Sequence, residues 1–379
     1  MRQSLLTALS PLVLIAASCG APAAGDSPAA PAAETQDQFK IEELGTFEQP
    51  WALALLPDGR ALVTERGGKL KLVDLASRSQ AQIGGMPKVD FGGQGGLGDV
   101  ALAPDFARSG GVYLTWVEAG AGDTRGAVLG MGVIDLDARS WKQPVQVIWR
   151  QTPKVTGRGH FSHRIAFSPD GKYLFLSSGE RQKFTPAQDL SNNLGKVLRL
   201  NRDGTPAAGN PFAGKGGVSA EIWSYGHRNL LGLQFDAQGR LWDLEHGPLG
   251  GDELNLVKPG RNYGWPLVSD GDHYSGEKIP RHATRPDLAA PAISWNPVIA
   301  PGDFIFYSGR MWREWKDQAL IAGMVYPGLV RVRIDGEKAR EAARYPLGSR
   351  IREIREAPDG SLLVLEDGKA GRLLRLSRK

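Results

Sequence analysis

All six histidines of the chain lie between His160 and His282, so any imidazole chemistry belongs to one third of it. His160 and His163 sit in Gly159-His160-Phe161-Ser162-His163-Arg164, ahead of an alternating apolar run, and Ser178-Gly179-Glu180 follows that run. A carboxylate returned beside an imidazole holds one tautomer and raises its basicity, as a general base requires, so His160 and Glu180 form a candidate dyad. A loop histidine making ordinary hydrogen bonds fits the same spacing. Tyr225-Gly226-His227-Arg228-Asn229 occupies the corresponding place before the next run, where Arg228 would stabilise negative charge on a ligand oxygen or simply tie neighbouring units together.

Glu245-His246-Gly247-Pro248-Leu249-Gly250-Gly251-Asp252-Glu253-Leu254-Asn255 and then Asn262-Tyr263-Gly264-Trp265-Pro266 combine carboxylates, free carbonyls and glycine turns. Those are ligands for a hard cation, which points to calcium, although the spacing is not that of an EF-hand. Thiolate zinc chemistry is excluded by a single cysteine, Cys19. Gly92-Gly93-Gln94-Gly95-Gly96-Leu97-Gly98 has no Lys-Ser/Thr after it and no helix to open, so it is no nucleotide loop; its glycines allow close approach to a flat ligand or merely join two units. Arg350 and Arg352 alternate in Arg350-Ile351-Arg352-Glu353, which puts both on one strand face, suited to a polycarboxylate or to a solvated edge.

The elements that must position these groups are hairpins. Apolar runs lead through Pro-Asp-Gly-like turns into second runs at Trp51–Val63, Ile165–Leu176, Leu231–Trp242 and Ile354–Val364, with looser copies at Val100–Leu114 and Phe304–Ala322. Six copies at intervals of roughly 45 to 70 residues match four-stranded blades, and the chain is expected to be all-β: a six-bladed β-propeller of four-stranded antiparallel blades. The 49 glycines and 25 prolines agree with a turn-rich sheet protein, whereas two β-sandwiches would not explain one phrase recurring along the whole chain. Gln94, His160, Arg228 and Arg350 each precede a different hairpin, so four blades would converge on one site over the channel.

The 379 residues, 41% hydrophobic and 23% charged, can build a large core but not a multi-span membrane protein. The net charge of +5 is scattered without a basic block, which speaks against nucleic acid. Residues 1–18 read as an export signal, 19–38 as a flexible Ala/Pro/Gly linker and 39–379 as the propeller. Ala16-Ala17-Ser18-Cys19 resembles a lipoprotein box, with Cys19 then lipidated and tethered to a membrane; cleavage after Ala21-Pro22-Ala23 fits equally. Either way the expected location is periplasmic or anchored at the outer membrane.

Taken together, Gln94, His160 before Arg164, Gly179-Glu180, Thr185-Pro186-Ala187-Gln188-Asp189-Leu190, Gly195-Lys196-Val197-Leu198-Arg199-Leu200, Tyr225–Asn229, Gly247-Pro248 with Asp252-Glu253, Asn262–Pro266 and Trp295–Pro301 resemble the soluble pyrroloquinoline quinone (PQQ)-dependent sugar dehydrogenases, in particular the bacterial aldose sugar dehydrogenases. The resemblance runs from about Trp51 to the C-terminus. It implies oxidation of an aldose at C1 to a lactone, with His160 as base, Glu180 orienting it and Arg228 stabilising the reduced quinone. It further implies that Gln94, Arg228, Asn229, Arg350 and Arg352 bind PQQ. One calcium would lie on the Gly247 and Pro248 carbonyls and another on Glu253 and the Tyr263 carbonyl, while Trp295 and His273-Tyr274-Ser275 would close on the sugar. Two positions depart from the family pattern: Ser162 and His163 stand where smaller residues are usual, and Met324-Val325 lies where a PQQ-contacting lysine is expected. The electron acceptor is unspecified. A calcium-dependent propeller hydrolase such as a lactonase, and a non-catalytic binding propeller, are the competing readings.

Overall fold

The computed structural model describes residues 38–379. They form six four-stranded antiparallel sheets and one short α-helix, Phe106–Ser109. Each expected hairpin is the innermost pair of strands of one blade. The innermost strands are Pro50–Leu55, Leu97–Leu102, Ser162–Phe167, Leu230–Phe235, Pro301–Phe306 and Ile351–Glu356 for blades 1 to 6, and each packs beside the next to close a ring. The turns work as their residues dictate: Gly59, Gly171, Gly239 and Gly360 have φ between 68° and 85°, the left-handed region where a side chain is strained.

Blade 6 is closed by the N-terminal segment. Phe39–Phe47 pairs antiparallel with Gly371–Arg378 as its outermost strand, so the two ends of the described chain lock the ring. Apolar side chains pack between the blades; Phe39, Tyr307, Trp312, Trp315 and Tyr345 make the aromatic part of one such core, with the two tryptophan rings stacked 4.8 Å apart.

All six innermost strands share a register shift near their start, at Pro50/Ala52, Leu97/Val100, Ser162/Ile165, Leu230/Gly232, Pro301/Asp303 and Ile351/Glu353. A bulge inserts an unpaired residue and re-aims its side chain. At the mouth of the channel, side-chain direction therefore departs from simple alternation.

Candidate active site

The loop into blade 3 carries His160, and the loop after its first hairpin carries Glu180. His160 Nδ1 lies 2.5 Å from Glu180 Oε1, and both side chains are almost wholly buried. Glu180 Oε2 accepts the backbone N–H groups of Lys183 and Phe184 at 2.5 and 2.7 Å. Desolvation pushes the Glu180 carboxyl up, but the His160 bond, the Phe184 amide and the Arg228 charge together hold it below the usual range. An ionised Glu180 makes Nδ1 of His160 the protonated nitrogen, which leaves the Nε2 lone pair free. Burial holds the His160 pKa below its ordinary value and Arg228 adds to this, while Glu180 opposes them. The imidazole is thus neutral near pH 7, as a base must be.

Keeping the dyad in place strains the backbone. Eleven non-glycine residues have positive φ among the described residues, and six of them, His160, Ser162, His163, Arg181, Gln182 and Phe184, belong to these two loops. Arg181, buried against the Phe161 ring, ties the loops together by donating to the carbonyls of Gly159, Arg125 and Gly157.

Two cavities open around this centre. A cleft of about 300 Å³ is lined by His160, Glu180, Gln182, Phe184, Arg228 and Pro248. Trp265 and the segment His273-Tyr274-Ser275 complete its walls. Trp265 and Phe184 stack 5.7 Å apart, and Arg228 lies 5.1 Å from the Trp265 ring. The second cavity, also of about 300 Å³, is lined by Trp51, Arg66, Gln94, Phe161, Ser162, His163, Asn229, His246, Met324, Arg350, Arg352 and Asp367. Asp367 accepts from both Arg350, at 2.9 Å, and Arg352, at 2.8 Å. Three guanidinium groups face one carboxylate here. Burial, reinforced by the Arg352 charge, holds Arg66 below its usual pKa; burial does the same to Arg352. An anionic, flat ligand is what this excess positive charge between aromatic walls can hold.

Beside Arg228 lies a much smaller space, of about 10 Å³, lined by Glu245, Gly247, Pro248, Glu253 and Tyr263, among others. Behind it the Asn255 amide stands at the hub of three carboxylates, 3.3 Å from Asp243, 3.2 Å from Glu245 and 3.3 Å from Glu253. No lysine or arginine side chain is paired with these three among the described residues. Asp243 Oδ2 and Asn255 Oδ1 are buried without a hydrogen-bond donor. Burial pushes Glu253 up to about 8 and Asp243 well above its ordinary value. These donors fit a hard cation. The Gly247–Pro248 pair fits less well, because its oxygens are neutral and the Gly247 carbonyl already accepts Arg228 Nη1 at 2.7 Å.

The structure thus brings His160, Glu180 and Arg228 to the cleft, Gln94, Asn229, Arg350 and Arg352 to the second cavity, and Gly247, Pro248, Glu253 and Tyr263 to the space beside them. Gln94 spends its Oε1 on the His160 backbone N–H at 2.7 Å. Trp295 is a correction. It lies on Ile293–Trp295, the outermost strand of blade 4, is buried in the core and donates Nε1–H to Glu341 at 2.9 Å, so it lines neither cavity. Its neighbour Asn296-Pro297 reads as a loop, but the preceding strand turns the indole inward. Sequence reasoning also missed Trp51, Arg66 and Asp367 on the second cavity and Phe184 and Trp265 on the cleft. Trp265 lies in the Asn262–Pro266 motif without having been singled out there, and nothing in the local sequence of the other four marks them. Cys19 lies outside the described residues.

Fold and site together define a six-bladed propeller with a neutral, buried imidazole at the channel mouth, next to an arginine-lined cavity. Residues 47–375 match the family model "Glucose / Sorbosone dehydrogenase". The chain belongs to this family of sugar-oxidising oxidoreductases. It is 39% identical over 340 residues to the aldose sugar dehydrogenase YliI of Escherichia coli, covering 87% of this chain and 90% of that one. The soluble E. coli aldose sugar dehydrogenase in its apo form superposes with a TM-score of 0.84 at 38% identity, over 90% of this chain and all of that one. The PQQ-bound aldose sugar dehydrogenase of Streptomyces coelicolor superposes with a TM-score of 0.72 at 29% identity, over 93% of this chain and all of that one.

Proposed function

We propose that the protein is a PQQ-dependent aldose sugar dehydrogenase that oxidises the C1 hydroxyl of an aldose to the lactone. The observation that carries this reading is the Glu180–His160 dyad, which turns an unprotonated Nε2 toward an aromatic-walled cleft next to a cavity with three guanidinium groups. Phe184, Trp265 and Tyr274 offer ring faces to the C–H faces of a sugar. His160 Nε2 takes the C1 hydroxyl proton, and Glu180 stabilises the imidazolium that forms. Arg228 stands at the boundary of the cleft as a fixed positive charge for the developing negative charge.

PQQ, when bound, supplies the two-electron acceptor for the C1 hydride. Arg66, Arg350 and Arg352 would hold its carboxylates, Gln94 and Asn229 its polar edge, and Trp51 and Phe161 its flat face. Calcium would use Glu253 and the Tyr263 carbonyl, with Glu245 next to them; on Gly247 and Pro248 a cation would need further oxygens from the bound quinone. The product electrons leave to an acceptor outside the protein. Residues 1–18, if they act as the export signal that their sequence resembles, would carry this chemistry to the periplasm or, with Cys19 lipidated, to a membrane surface.

Apo-protein supplied with PQQ and calcium should reduce an artificial dye in the presence of aldoses and retain quinone absorbance after desalting. Absence of both would overturn the reading, and lactone hydrolysis without PQQ would replace it with a hydrolase. His160→Ala should lower kcat by roughly 10²- to 10⁴-fold while the quinone stays bound.

A further inference from the structure

His163 is among the side chains at the second cavity that the proposed reaction leaves unused. It follows Ser162 at the start of the blade 3 inner strand, inside the bulge, with φ of 63°. Its ring is 2% exposed and lies 5.1 Å from the Trp51 ring at an interplanar angle of 30°. Glycine at position 98 makes the room, for a Cβ there would come within 2.0 Å of His163 Cε1. His163 Nδ1 is 2.9 Å from Thr115 Oγ1. Its Nε2 has no hydrogen-bond partner among the described residues, and the ring lines the cavity shared with Gln94, Asn229, Arg350 and Arg352.

The proton on this ring can be placed. Thr115 Oγ1 already accepts the Asp99 backbone N–H at 2.8 Å. The hydroxyl proton of Thr115 has no acceptor but His163 Nδ1 among the described residues, and stranding a buried donor is costly. Nδ1 is therefore the acceptor, and Nε2 carries the hydrogen. Burial, followed by the Arg164 charge, drives the His163 pKa down to about 3, so the ring stays neutral in ordinary buffers. His246, on the same cavity, is arranged the other way: its Nε2 lies 2.7 Å from the Pro301 carbonyl, so its N–H is spent there.

We infer that His163 is an anchoring residue for the quinone, its Nε2–H donating to an uncharged acceptor atom, a ring nitrogen or a carbonyl oxygen, that the arginines do not read. This rests on the reading that the cavity takes PQQ. The arginines select carboxylates by charge, at long range and subject to salt. A neutral N–H acts only at contact and is insensitive to ionic strength.

The test is titration of apo-protein with PQQ in the presence of calcium, read by tryptophan fluorescence quenching and by the absorption band of the bound quinone. His163→Phe keeps a flat ring against Trp51 and removes the donor. It should raise Kd about tenfold, by a similar factor at low and high ionic strength, and shift the band. His163→Gln restores an N–H near the same point and should fall between the two. Thermal melts establish that each variant is folded. Thr115→Val, which releases Nδ1 and lets the proton move, serves if His163→Phe does not fold, and should weaken binding severalfold. Wild-type affinity and an unshifted band in His163→Phe, or in Thr115→Val in its place, would overturn the anchor while leaving PQQ dependence standing. A wild-type protein that takes up no PQQ would overturn both.

Discussion

Two buried clusters of charge, one in the channel and one in blade 4, show how differently the same kinds of side chain can be used. In the channel, Arg164 donates to Glu353 at 2.7 Å and lies 3.4 Å from Asp99, and Arg355 pairs with Asp303 and with Glu353. Arg164 also donates to the Leu231 and Gly302 carbonyls and Arg355 to that of Leu53, so the network touches all six blades. In blade 4, Asp243, Glu245 and Glu253 surround Asn255 with no arginine or lysine side chain paired to them among the described residues. The first cluster supplies its own counter-charge and belongs to the fold. The second has only imidazoles, His227 at 3.1 Å from Glu245 and 3.4 Å from Asp243 and His282 near Glu253, and its remaining lone pairs are open to a hard cation.

The most severe way to break this contrast is Arg164→Leu, which strands Asp99 in the channel and leaves Glu353 to Arg355 alone. A loss of about 3–5 kcal/mol is expected, measured by urea unfolding, because an unpaired buried charge costs more than the pair contributes. If stability hardly changed, the channel would be no more self-sufficient than blade 4. For blade 4 the matching operation is removal of the cation. A chelator should lower the melting temperature of the wild type, by about 3 kcal/mol of stability if calcium had been present at a hundred times its Kd. Glu253→Gln should abolish that difference. A chelator effect that persists in Glu253→Gln would place the cation elsewhere.

The His160–Glu180 dyad stands between the two cases, since it is paired on one nitrogen and open on the other. Glu180→Gln should therefore cost activity without much stability: a fall in kcat of roughly 10- to 100-fold, with the protein still folded. The pH profile sharpens this further. The His160 pKa lies below its ordinary 6.5, with burial the largest cause, so the imidazole stays mostly unprotonated as pH falls to 6.5. The acid limb of kcat/KM should thus appear below that value. Glu180 is the neighbour that raises the His160 pKa, so Glu180→Gln should move the limb to still lower pH. An upward movement would contradict the assignment of Glu180 as the imidazole's partner.

Much of the fold was legible in the sequence because β-hairpins are encoded locally. Alternation over a few residues and a turn glycine such as Gly59 or Gly360 specify each innermost pair, and six pairs define the blade number. The outer strands carry weaker signals, and the closure of blade 6 by Phe39–Phe47 pairs residues more than three hundred positions apart, which no local pattern encodes. Arg350 and Arg352 illustrate the limit. Strand alternation placed them on one face, and they do meet at Asp367, yet the register shifts between Ile351 and Glu353, so the rule of alternation does not hold there. Trp295 illustrates the reverse, an aromatic residue beside a loop motif whose strand turns it into the core.

By itself the sequence determined the repeat, and hence the ring, together with the loops in which His160, Glu180, Gln94, Arg228 and Arg350 reside. Those features depend on interactions among near neighbours in the chain. Only the tertiary structure decided which nitrogen of His160 is free, that His163 presents an N–H to a cavity, and that three carboxylates of blade 4 meet around one amide with no lysine or arginine side chain paired to them among the described residues. Each of these depends on a partner such as Glu180, Thr115 or Asn255 brought from a different strand or loop, and on burial, which the finished ring alone creates.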